Sequence, residues 1–210
     1  MKESIAVIAA AGLSSRMGAF KPLLPFRGKT VVECTVDSAL SWGAELVLLV
    51  VGHRGAEIAE RFSGNSGVEV LFNRDYAESD MFTSMRIGLA LAEKADKAVF
   101  LLPGDIPAVG QKTGMKLYTG LQKNRALWAR PVYQGRGGHP VLLSPLAVRL
   151  VMHYAGKDGL RGALRSLPEP PLELSAGPQI HMDLDTPENY EMLRYWEGEN
   201  CDAAIWNKTI

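Results

Sequence analysis

Apolar residues in this chain gather in short continuous runs, separated by stretches with helical spacing. Residues 4–10 form the first such run. Residues 45–52 (ELVLLVVG) and 97–102 (KAVFLL) form two more, and residues 68–72 a shorter one. Runs without polar alternation suit strands buried on both faces, which means a parallel sheet. Between them lie helix signals. Thr30 caps a helix with Glu33 as its capping-box partner, and Gly43 ends it. A short helix fits residues 54–62. Asp80 or Ser79 caps another over about residues 81–93, and a fourth fits residues 111–123. The rhythm then changes. Residues 127–132 and 140–143 read as two strands around Tyr133-Gln134-Gly135-Arg136-Gly137-Gly138-His139. Short helices follow over residues 145–154 and 159–167, and the prolines of residues 168–171 break the pattern. Residues 179–184 read as a last strand, and Thr186 caps a final helix with Pro187 at its first position.

Alternating strand and helix in the first half predicts an α/β fold: three layers, doubly wound, with a mostly parallel sheet and an inserted β-hairpin in the second half. No linker and no internal repeat is seen. Residues 1–198 are therefore expected to form a single domain, with residues 199–210 as a peripheral tail. Ligands of such sheets bind beyond the carboxyl ends of the strands. Three motifs fall at expected strand ends: after Ala10, after Leu102 and after Leu184.

Composition narrows the function classes. The 210 residues carry 23 basic and 23 acidic side chains, a net charge of zero, which argues against a nucleic-acid partner held through phosphates. A 47% hydrophobic content excludes general disorder. Cys34 and Cys201 are too far apart for metal-ligand spacing and read as reduced thiols of a cytoplasmic protein. No apolar stretch reaches the roughly 18 residues of a span, so no membrane partner is expected. The opening Lys2 and residues 5–13 resemble a signal peptide. Glu3 and the absence of a small-residue cleavage site favour a buried first strand instead.

The loop after the first strand reads Ala10-Ala11-Gly12-Leu13-Ser14-Ser15-Arg16-Met17-Gly18-Ala19-Phe20-Lys21. Small residues let backbone approach a ligand, and free N–H groups in such a turn form an anion nest. Arg16 offers a planar fork and Lys21 a point charge, a set that suits a polyphosphate. The other reading is a glycine-containing βα turn with surface basic residues. Neither Gly-Lys-Ser/Thr nor the spaced glycines of a dinucleotide fingerprint are present. Asp105, in Pro-Gly-Asp-Ile-Pro, is a hard oxygen donor for a divalent ion on substrate phosphates, or a turn-forming Asp. Asp183 and Asp185 sit in Asp-Leu-Asp-Thr-Pro-Glu, where acidic residues also favour a helix start.

The segment GLSSRMGAFKPLLPFRGKTVVE resembles the signature of the MobA-like nucleotidyltransferases. Gly12, Ser14, Arg16, Met17, Gly18, Lys21, Leu23, Leu24, Pro25 and Gly28 all fall in place. Gly-Asp-Ile-Pro resembles the family's metal-holding segment, and Asp183-Leu184-Asp185-Thr186-Pro187-Glu188 its second acidic motif. The likeness covers about residues 4 to 197. It implies a nucleotide site at Ala10, Ala11, Gly12, Leu13, Ser14, Arg16, Lys21 and Ser84. Lys21, Arg16 and Asp105 would be catalytic, and Asp105 and Asp185 would hold Mg²⁺. Ser84 matches the residue near the nucleobase, or is only a first-turn residue. Arg136-Gly137-Gly138-His139-Pro140 is similar to a segment of the molybdopterin-related members, which gives His139, with Asp183, an acceptor-binding role; alternatively His139 only shapes the hairpin. His53, His153 and His181 read as structural or surface.

These motifs, with Ala11 where guanylyltransferase members carry Gly, point toward the molybdenum cofactor cytidylyltransferase (MocA-like) branch. The resemblance implies CTP and a phosphorylated acceptor such as Mo-molybdopterin as substrates. It also leaves room for a transient molybdoenzyme or chaperone partner, for which no docking motif is seen. Use of GTP, a sugar or polyol phosphate acceptor, and a non-catalytic nucleotide sensor or chaperone stay open.

Overall fold

The computed structural model describes residues 4–14 and 18–195. The strands among these residues are β1 (Ser4–Ala10), β2 (Pro25–Phe26), β3 (Lys29–Thr30), β4 (Leu46–Val51), β5 (Val68–Phe72), β6 (Ala98–Pro103), β7 (Trp128–Tyr133), β8 (Arg136–Gly137), β9 (Val141–Leu143) and β10 (Leu172–Ser175). The helices are α1 (Val31–Ser41), α2 (Gly55–Arg61), α3 (Met81–Ala92), α4 (Gln111–Asn124), α5 (Pro145–Met152), α6 (Gly159–Arg165) and α7 (Pro187–Arg194).

The main sheet runs β10-β7-β9-β6-β1-β4-β5, with β8 attached to β7. Every pairing along that path is parallel except those of β9, which runs against both β6 and β7. The fold is thus α/β with a mixed, mostly parallel sheet. Side chains of β1 alternate between two cores, as strand geometry dictates. Ala6, Ile8 and Ala10 face the core shared with α1, α2 and α4. Ile5, Val7 and Ala9 face the core shared with α3, α5 and α6. Both faces are covered, so β1 is buried throughout and reads as a continuous apolar run.

Local signals act as the chain predicts at several ends. Thr30 N–H donates to the Glu33 carboxylate at 2.8 Å at the start of α1. Asp80 accepts from Thr83 N–H at 2.8 Å at the start of α3. Two corrections apply. Residues 179–184 are not a strand: Pro178–His181 is a 3₁₀ turn, and the last strand is β10, just past the prolines. Ile180, Met182 and Leu184 are nevertheless buried, which accounts for their alternation. The loop after β1 also contains the small antiparallel pair β2–β3, joined through Arg27 (φ 50°) and Gly28 (φ 77°). Positive φ at both residues is the geometry of a tight two-residue hairpin. The same device, Gln134 (φ 49°) and Gly135 (φ 76°), joins β7 to β8. The expected tail, residues 199–210, lies outside the described residues.

Candidate active site

The loop after β1 closes on itself where Lys21 N–H donates to Ser14 Oγ at 3.1 Å. Ser14 takes φ 55° and Gly18 φ 65°, left-handed conformations that curl the backbone here. β6 ends alongside. Gly104 N–H donates to the Ala9 carbonyl at 2.8 Å, and a Cβ on Gly104 would lie 2.7 Å from Ala10 Cβ. Only glycine lets the two strand ends come this close, and that approach sets Asp105 beside the loop.

The result is a cleft of about 200 Å³ at the carboxyl ends of β1 and β6. Ala10, Ala11, Gly12, Ser14, Lys21, Ser84 and Asp105 all line it. Leu13 is 49% exposed and does not line it, and Arg16 lies outside the described residues. Lys21 Nζ donates to Asp185 Oδ1 at 2.7 Å and to Asp105 Oδ2 at 3.2 Å. One ammonium therefore joins motifs 84 and 164 residues away in the chain.

The charges at this point are tuned by burial and by one another. Burial alone would lower the Lys21 pKa, but its hydrogen bonds to Asp185 and Asp105 outweigh that and raise it. Lys21 is thus firmly cationic. Burial pushes the Asp105 carboxyl up, against the pull of Lys21. Asp183 rises to about 6, through burial and then the neighbouring Asp185 and Asp105 carboxylates. Among the described residues, one ammonium thus faces the carboxyl groups of Asp105, Asp183 and Asp185.

Among the described residues, no group of three or more His, Cys, Asp or Glu side chains could hold a metal ion alone. Asp105 and Asp185 do face one shared point, the Lys21 ammonium, and both are hard oxygen donors. They fit a divalent ion of the Mg²⁺ type that takes its other ligands from substrate phosphates and water.

A second cleft, of about 320 Å³, begins at Ile106, the residue after Asp105. Ile106, Tyr133, Arg136, His139, His181 and Asp183 are among its walls. The two acceptor candidates are thus brought together here, apart from the loop residues. His139 is half-buried, and its Nδ1 is covered and has no hydrogen-bond partner. Its pKa falls to about 4, chiefly from burial; the Leu101 carbonyl opposes this and His181 adds to it.

Several wall residues were not read from the sequence. Tyr76, Ser79 and Asp80 line the first cleft, although Ser79 and Asp80 had been assigned only capping roles. His53 packs between Phe20 and Tyr76, with ring centroids 5.2 and 6.0 Å away, and so ties the loop after β1 to the segment after β5. His181, read as structural or surface, lies in the wall of the second cleft, with Nε2 3.2 Å from the Gly137 carbonyl. The end of β5 was the available signal: a fourth strand end, followed by Asn73, opening on the same side of the sheet.

Comparison with known proteins identifies the family. Residues 6–171 match the MobA-like NTP transferase domain. The chain is 30% identical over 184 residues to the molybdenum cofactor cytidylyltransferase of Escherichia coli (strain K12), covering 88% of this chain and 92% of that one. It is 28% identical over 176 residues to the nicotine blue oxidoreductase of Paenarthrobacter nicotinovorans, covering 77% and 81%. The solved structure of Rv0371C from Mycobacterium tuberculosis H37Rv, in complex with manganese, superposes with a TM-score of 0.72 at 26% identity, covering 91% and 98%. The chain belongs to the MobA-like NTP transferase family.

Proposed function

We propose that this protein moves a CMP group from CTP to a phosphorylated small-molecule acceptor, Mo-molybdopterin, releasing pyrophosphate and forming a molybdopterin cytosine dinucleotide. The observation that carries the reading is the Lys21 ammonium held between Asp105 and Asp185 at the foot of the loop after β1. Similarity to the E. coli cytidylyltransferase supports the choice of base and acceptor.

An acceptor phosphate oxygen attacks the α-phosphorus of CTP. The bond from that phosphorus to the bridging oxygen breaks, and pyrophosphate leaves with the electron pair. The attacking phosphate is already anionic near neutral pH, so no side chain need remove a proton. The work of the protein is positioning two anions and offsetting the charge between them. Lys21 and Arg16 supply fixed positive charge at the triphosphate. Backbone N–H groups around Gly12 and Ser14 cradle it. Asp105 and Asp185 would hold Mg²⁺, which supplies charge neutralisation for the phosphate oxygens when bound. His139 and Asp183 line the acceptor side, and Arg136 in the same wall offers positive charge to the acceptor phosphate. The reaction is assigned to the cytoplasm, where nucleoside triphosphates are available.

Isotopic labelling tests the direction of transfer. With Mg²⁺ and Mo-molybdopterin, label in the α-phosphate of CTP should appear in the pterin product and γ-label in pyrophosphate. Retention of the α-label in free CTP or CMP alone would overturn the reading.

A further inference from the structure

Asn73 follows β5 directly and is 4% exposed. Its N–H donates to the Val51 carbonyl at 2.8 Å, and its Oδ1 accepts from Asp75 N–H at 3.0 Å. The second contact fixes which end of the amide faces which neighbour. The NH₂ end donates to Ser79 Oγ and to Ser84 Oγ, both at 2.9 Å. An NH₂ group only donates, so both serine oxygens must accept, and their own hydrogens must point elsewhere. Among the described residues neither hydroxyl donates to a protein acceptor. Both serines line the first cleft beside the start of α3, while Asn73, buried and bonded to both, does not line it.

We infer that Asn73 is a positioning residue that turns the Ser79 and Ser84 hydroxyls into donors toward the nucleobase, selecting a base edge made of acceptors. This rests on the CTP reading of the cleft. Cytosine presents O2 and N3 as adjacent acceptors. Uracil and guanine instead place an N–H at the middle of the corresponding edge, N3–H and N1–H, where a second donor would meet it. The pair of hydroxyls thus matches cytosine and disfavours uracil, a base of nearly the same size that no steric wall could reject.

Replacing Asn73 by Asp keeps the shape and the Asp75 contact but turns the donor end into an acceptor. The two hydroxyls then swing back to the carboxylate and leave lone pairs facing the base. Calorimetric binding of CTP and UTP with Mg²⁺ reads the effect without any acceptor substrate. Wild type should favour CTP. N73D should bind CTP roughly tenfold more weakly while UTP changes little, the scale of one lost hydrogen bond. Ser84→Ala should erode the CTP preference too. N73D combined with S84A should fall short of the sum of the two, because both act on the Ser84 hydroxyl. A folded N73D or S84A that keeps the wild-type CTP-to-UTP ratio, or fully additive effects, would overturn the role of Asn73 while leaving CTP as substrate. If N73D does not fold, S84A alone decides by the same ratio. A wild-type protein that binds no nucleoside triphosphate, or prefers UTP or GTP, would overturn both the CTP reading and this inference.

Discussion

The burial of His139 makes the stability of the protein depend on pH in a calculable way. The His139 Nδ1 is covered and has no acceptor, so an imidazolium would carry an N–H there with nowhere to donate. Burial therefore lowers its pKa from 6.5 to about 4. A base depressed in the folded state favours folding while it is neutral. That contribution is complete above about pH 6.5 and is lost as pH falls toward 4. The full difference is worth roughly 3 kcal/mol, of which about 2 kcal/mol is gone by about pH 5. Asp183, raised to about 6, acts the other way: its carboxyl binds a proton more tightly when folded, so its contribution grows as pH falls. Comparing wild type with His139→Asn separates the two, since both proteins share Asp183. The assay is urea denaturation at several pH values between about 5 and 7.5. The variant pays a constant cost for lost packing at every pH. On top of that offset, wild type should lose about 2 kcal/mol more than the variant across the range. Parallel curves would refute the idea that a neutral, unpartnered His139 is what the fold holds.

Lys21→Ala and Asp105→Asn should both fold, since neither residue belongs to the apolar cores, yet each should lose about a hundredfold in turnover, on the order of 3 kcal/mol. Steady-state pyrophosphate release checks this, and wild-type turnover would remove the residue from the reaction. Gly104→Val should push the end of β6 off β1, because its Cβ starts 2.7 Å from Ala10 Cβ. A loss of about 1–3 kcal/mol in stability is expected, together with a drop in activity as Asp105 moves from Lys21. Chelation of divalent ions should abolish turnover, and Mg²⁺ or Mn²⁺ should restore it; activity that survives chelation would count against the roles of Asp105 and Asp185.

The parallel core was plain in the sequence because β1, β4 and β6 are buried on both faces and read as unbroken apolar runs. The same reasoning misread residues 179–184. Ile180, Met182 and Leu184 alternate because alternate residues are buried, yet no neighbouring strand pairs with them. Period-two burial reports which side chains are covered, not whether the backbone joins a sheet. The true last strand escaped notice because β10 is an edge of four residues, partly exposed, and its place is set by parallel pairing with distant β7. The β2–β3 pair hid behind an Arg-Gly turn rather than the usual Asn-Gly.

At the site, the loop after β1 and Asp105 were legible because each follows a buried strand, whereas the motif at Asp183 and Asp185 follows a 3₁₀ turn and was legible only by its acidic residues before a capped helix. The resemblance already paired Asp105 with Asp185; what the sequence could not give was the Lys21 ammonium as the point where they meet, beside the close approach that Gly104 permits. Asn73 was equally hidden. An asparagine after a strand is ordinary turn chemistry until its two serine partners are seen behind the cleft wall.

The most direct test of the proposed reaction is pyrophosphate release from each of CTP, UTP, GTP and ATP, with Mg²⁺ and Mo-molybdopterin, for wild type and Lys21→Ala. Release with CTP in the wild type, reduced about a hundredfold in the variant, is the expected result. Release with GTP in place of CTP would contradict the assignment of the base, and no release with any nucleotide would contradict the reaction itself.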